Sequence, residues 1–60
     1  MMITVLRSLP RRQAECLVLR FYLDLSEAET ASTLGISPGS VKTHVHRGLA
    51  ALATRLGDPR

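Results

Sequence analysis

Sixty residues with a formal net charge of +3 make one domain at most. A chain this short buries only about 60% of the surface its unfolded form exposes, which leaves no room for a large catalytic cleft. The single cysteine, Cys16, excludes an internal disulfide and has no CxxC neighbour for zinc, which fits a reducing cytoplasm. No apolar run approaches the roughly 20 residues of a membrane span. Arg7, Arg11 and Arg12 interrupt the N-terminal apolar stretch, so no signal peptide is visible.

The first segment has apolar residues at Met2, Val5, Leu6 and Leu9, the i, i+3, i+4, i+7 spacing of a short amphipathic helix. It reads as the end of something longer, and the chain as a piece cut from a larger protein. Pro10 opens a second helix, because its missing N–H needs no partner in a first turn. Ala14, Leu17, Val18 and Phe21 form the inward stripe of that helix, flanked by Leu19 and Tyr22. The pattern ends near Leu23, and Asp24 begins a link.

Ser26-Glu27-Ala28-Glu29 is a capping box, which predicts a third helix from Ser26 to about Leu34. Both glutamates sit at the positive end of that helix dipole. Gly35 then ends the helix, since glycine adopts the left-handed conformation cheaply. Ile36 plugs the turn, Ser37 caps a fourth helix and Pro38 is its first residue. The fourth helix is predicted to run to about Leu56. Val41, Val45, Gly48, Leu49, Leu52 and Leu56 fall on one side of it, and Lys42, Thr43, His46, Arg47, Ala50 and Thr54 toward the other.

Two helices joined by a turn of fixed length, with small Ala31 at the crossing and apolar Leu34, Ile36, Val41 and Val45 as anchors, predict a helix-turn-helix. The expected fold is therefore all-α, a short four-helix domain spanning residues 1–60. Such a motif lays its second helix in the major groove of DNA. Charge placement agrees: from Thr30 to Gly57 there is no acidic residue, yet Lys42, Arg47 and Arg55 lie there with two histidines.

The candidate DNA-binding residues are chosen by their chemistry. Lys42 reaches either a guanine O6/N7 edge or a phosphate, and Arg47 reaches either with two parallel bonds. Thr43 offers a hydroxyl and a methyl. His46 donates or accepts according to its tautomer. Ser37, Gly39 and Ser40 lie where the N–H groups of the first turn face a phosphate, while Ser37 also serves as the cap. Arg11, Arg12 and Arg20 either touch the DNA backbone or merely solubilise their helix.

His44 and His46 do not make a metal site, because residues two apart on a helix point about 200° away from each other. Cys16 has no paired histidine to make it a nucleophile, and Glu27 and Glu29 are explained as cap and dipole partners. No enzyme, cofactor or metal is expected.

The stretch from Leu9 to Leu56 resembles region 4 of bacterial RNA polymerase sigma factors, closest to the extracytoplasmic-function group. The pieces that carry the resemblance are LPRRQ, LVLRFYLDLS, EAETASTLGIS and PGSVKTHVHRGLAAL, in that order and spacing. It implies a helix-turn-helix of the winged-helix-like, sigma region 4 type, excised from a larger sigma factor. It also implies recognition of the promoter −35 element by residues matching Lys42, Thr43, His46 and Arg47. The partners implied are promoter DNA, the β flap of the RNA polymerase core, and an anti-sigma factor. Thr30 departs from the pattern, standing where the family has an aliphatic residue. The run VKTHVHRGLAAL also resembles the DNA-binding domain of LuxR-type regulators, a second reading; LVLRFYLDLSEAE favours sigma. A third assigns the exposed apolar residues, among them Met2, Val5, Leu6 and the Leu19–Tyr22 edge, to a protein-interaction surface.

Overall fold

The computed structural model describes residues 6–54, and every regular element among them is helical. Residues 6–8 close a helical stretch, with the Leu9 N–H donating to the Leu6 carbonyl at 3.1 Å. Met2 and Val5, assigned to the same helix by their spacing, lie outside the described residues. Pro10 has extended backbone (φ −53°, ψ 142°) and is the N-cap of α1 (Arg11–Leu17) rather than its first residue. Its carbonyl still accepts the first helical bond, from Ala14 N–H at 3.1 Å.

The second predicted helix does not reach Leu23 as an α-helix. Val18–Tyr22 is a π-helical segment, sealed by Leu23 N–H donating to the Val18 carbonyl at 3.0 Å. The wider turn changes the angular spacing of its side chains from that of an α-helix, on which the inward stripe was counted. Phe21, expected inside, lies within it and is 58% exposed, and Tyr22 is 83% exposed. The link turns at Asp24, whose φ of 60° is a left-handed conformation that aspartate tolerates better than most residues.

α2 (Glu27–Leu34) begins as its sequence requires. Ser26 Oγ accepts from Glu29 N–H at 2.9 Å, and Glu29 Oε1 accepts from Ser26 N–H at 2.8 Å. Gly35 ends it at φ 71°, and Ile36 N–H donates back to the Ala31 carbonyl at 3.0 Å. Ser37 then caps α3 (Pro38–Leu52), with Pro38 in its first turn. Residues 53–54 continue in π-helical form; Leu56 lies outside the described residues. With the stretch at residues 6–8, four helical pieces stand among the described residues, in the all-α arrangement the sequence pattern predicts. No helix among the described residues is long and apolar enough to cross a membrane.

One residue from each of α1, α2 and α3 fills the centre: Cys16, Ala31 and Val41 are buried, with Leu34, Ile36 and Val45 packed against them. Burial pushes the Cys16 thiol above its ordinary range, outweighing the opposing pull of the Arg12 charge. Thr30 is also fully buried, so it fills the site an aliphatic residue would take. Its Oγ1 has no hydrogen-bond partner among the described residues, a desolvation cost that a hydrocarbon would not incur.

α1 and α3 meet where Leu17 sits on Gly48. A Cβ at position 48 would lie 2.8 Å from Leu17 Cδ1 and 3.2 Å from its Cγ. Both residues are buried, so the leucine head cannot simply swing into solvent. In an exposed helix Gly→Ala would stabilise by about 1 kcal/mol. Here the crowding outweighs that gain. We predict that Gly48→Ala lowers stability by about 1 kcal/mol, a fall in Tm of roughly 4–8 °C for a domain of this size. In a Leu17→Ala background the same substitution raises Tm, and thermal melts followed by circular dichroism check both.

Candidate nucleic-acid interface

α3 is two-sided. Val41 and Gly48 are buried and Val45 is half-buried, so this side faces the core. Lys42, Thr43, His46 and Arg47 are all exposed, and Ala50 and Thr54 continue the exposed side. Residues at i, i+1, i+4 and i+5 form one continuous strip along a helix. The strip predicted from the wheel is thus assembled as a single surface.

The first turn of α3 is fully engaged at Ser37. Its Oγ accepts from Ser40 N–H at 3.0 Å and donates to Ser40 Oγ at 3.0 Å. The Ser37 hydroxyl therefore acts as a cap, and the hydroxyl proton left to reach outward belongs to Ser40. Gly39 is exposed beside it, and its carbonyl accepts from Thr43 Oγ1 at 3.1 Å. His44 is half-buried, with its Nδ1 enclosed and unpartnered among the described residues, whereas His46 is exposed. The two imidazoles diverge, as their spacing requires.

The arginines of α1 behave differently from the α3 cations. Arg11 Nε and Arg12 Nη1 both pair with Glu15, at 3.2 and 3.0 Å. These are exposed i, i+4 and i, i+3 pairs of small energetic weight, but they neutralise part of that patch. Arg20 donates from Nη1 to the Leu25 carbonyl at 2.5 Å, and its guanidinium lies 5.5 Å from the Phe21 ring centroid. It ties the π-helical segment to the link before α2, a structural role that sequence reading missed. A lone arginine five residues before an irregular turn gives no local signal of such a bond.

A second surface shares α3 with the strip but is lined by other residues. Leu6, Val18, Phe21, Tyr22, Leu49 and Leu52 line an apolar groove of about 600 Å³, floored by Leu17. Leu49, predicted to face inward, is 45% exposed and forms one wall of it. The wheel's inward placement of Leu49 is therefore corrected: seven residues after exposed Lys42, it stands at the margin of the buried side. The sequence did not supply the π-helical segment, whose Phe21 and Tyr22 line the same groove.

Residues 1–52 match the family model for sigma-70, region 4. The chain belongs to the sigma-70 region 4 family. It is 41% identical, over 93% of its length, to 32% of the RNA polymerase sigma-E factor of Streptomyces coelicolor. It is 46% identical, over 80% of its length, to 25% of the ECF RNA polymerase sigma factor ShbA of Streptomyces griseus subsp. griseus. It is 42% identical, over 80% of its length, to 23% of the ECF RNA polymerase sigma factor SigD of Mycobacterium tuberculosis. The chain thus spans a third or less of the length of these curated relatives. The match decides between the two resemblances noted in the sequence, for the extracytoplasmic-function sigma factors and against LuxR-type regulators.

The start of α3 in this region 4 domain depends on one hydroxyl with two partners. Ser37→Ala is expected to cost about 1 kcal/mol, the usual loss of an N-cap, read as a lower midpoint in chemical denaturation. A midpoint equal to the parent's would mean that Pro38 alone starts the helix.

Proposed function

We propose that this region 4 domain recognises the −35 element of promoters as part of an extracytoplasmic-function sigma factor, directing RNA polymerase to transcription initiation. The observation that carries the proposal is the exposed strip of Lys42, Thr43, His46 and Arg47, on a helix held by a capped turn, in a stretch without an acidic residue from Thr30 to Gly57. A major groove admits one helix, and each base pair shows a distinct pattern of donors and acceptors there. Arg47 suits a guanine edge by its paired donors, and Lys42 a guanine or a phosphate. The first-turn amide at Gly39, with the Ser40 hydroxyl, suits a phosphate, while the Ser40 amide is taken by the Ser37 cap. The role is binding, not catalysis, and its place is the cytoplasm, with the polymerase.

The apolar groove supports a second contact. We assign it to the β flap of the polymerase core, because Phe21 and Tyr22 present exposed aromatic surface next to a concave apolar floor. Its lining residues are not those of the strip, so DNA and polymerase would use different side chains. An anti-sigma factor would act by covering one of these surfaces.

Binding to duplex DNA selected from a random pool tests the main proposal. Log affinity should fall with log salt, at a slope of about −0.9 per phosphate neutralised. Arg47→Ala should cost roughly 1–3 kcal/mol and relax preference at one base pair. A variant that weakens all sequences equally would move Arg47 from base reading to phosphate contact. A parent with no selectable sequence would end the −35 assignment.

A further inference from the structure

We infer that Thr43 reads DNA through its methyl group rather than its hydroxyl, and that the base facing it is a thymine. The inference rests on the DNA-binding role proposed above and adds a base identity to one position of it.

The observation is the bond from Thr43 Oγ1 to the Gly39 carbonyl, 3.1 Å, one turn back along α3. A threonine hydroxyl has a single proton. Donated to its own helix, that proton cannot be given to guanine O6 or N7, adenine N7 or thymine O4, which are the acceptors of the major groove. The same bond sets the rotamer. A β-branched side chain has few χ1 choices in a helix, and turning Oγ1 back toward the preceding turn leaves the methyl as the other arm of the branch. Thr43 itself is exposed, so that arm is presented to the surroundings. Thr54 makes the equivalent bond to Ala50, also at 3.1 Å, so back-bonding recurs along this side of the helix.

The neighbours sharpen the point. Lys42, His46 and Arg47 surround Thr43 with groups that seek polar edges. Between them, Thr43 contributes an apolar contact. Thymine is the one base that offers an apolar group in the major groove, its C5 methyl. Only adenine N6 and cytosine N4 remain as polar partners, through the lone pairs of Oγ1, and the test separates them from thymine.

The experiment uses the 60-residue chain and its own preferred duplex from random-pool selection, with each thymidine replaced in turn by deoxyuridine, which lacks only the methyl. One replacement should weaken binding about fourfold, the value of one buried methyl-sized group. Thr43→Val should keep the affinity and the thymine preference. Thr43→Ser keeps the hydroxyl and loses the methyl, and it should bind thymine and uracil duplexes equally. Circular dichroism melts confirm that both variants are folded. A thymine preference that survives in Thr43→Ser would overturn the inference, as would equal binding of every uracil duplex by the parent. A folded Thr43→Val that loses sequence-specific affinity would overturn it too, by showing that the hydroxyl acts on DNA. These results leave the DNA-binding role standing, whereas a selection that yields no preferred sequence removes both.

Discussion

The contact between Leu17 and the bare backbone of Gly48 sets where α3 can lie. A Cβ at that point would sit 2.8 Å from a leucine methyl, so the helix axis could not approach α1 so closely with any other residue. The close approach keeps Val41 and Gly48 in the interior, and everything on the far side of the helix is thereby turned outward. Helical periodicity does the rest: once one side is fixed in the core, Lys42, Thr43, His46 and Arg47 have no place except the surface. The exposed strip is a consequence of core packing as much as of its own polarity.

Two surfaces emerge with different physics. The strip on α3 is polar, cationic and supported by a capped first turn, and it suits a charged, hydrogen-bonding partner. The groove beside the π-helical segment is apolar and rimmed by two exposed aromatics, and it suits a partner that buries hydrocarbon. The arginines of α1 belong to neither. Arg11 and Arg12 are held by Glu15, and Arg20 is spent on the Leu25 carbonyl. The free cationic character among the candidate residues is thus concentrated on α3, where the fold directs it outward.

Much of this was legible in the sequence because it was written in local chemistry. The capping box at Ser26, the left-handed Gly35 and the Ser37-Pro38 start each depend on residues within one turn of each other, and each appears in the structure as the residues demand. The outward strip was legible for a similar reason, since a long helix with a clear apolar side leaves little choice of orientation. The π-helical turn was not legible. It rests on i−5 bonds over Val18–Tyr22 in place of i−4 bonds, and no residue in that run announces the change. Phe21, exposed rather than inside, lies within it. Thr30 is a third kind of case: its departure from an aliphatic residue was visible, but only the structure shows that it is wholly buried with its hydroxyl unpartnered among the described residues.

That the strip, and not the groove, meets DNA is the claim on which the functional account stands, and amide chemical-shift mapping tests it most directly. A ¹⁵N-labelled sample titrated at low salt with a short duplex should show perturbations concentrated over residues 37–47. The amides of Phe21, Tyr22, Leu49 and Leu52 should stay near their free positions. Perturbations centred on the apolar groove, with Lys42, Thr43, His46 and Arg47 unmoved, would contradict the account.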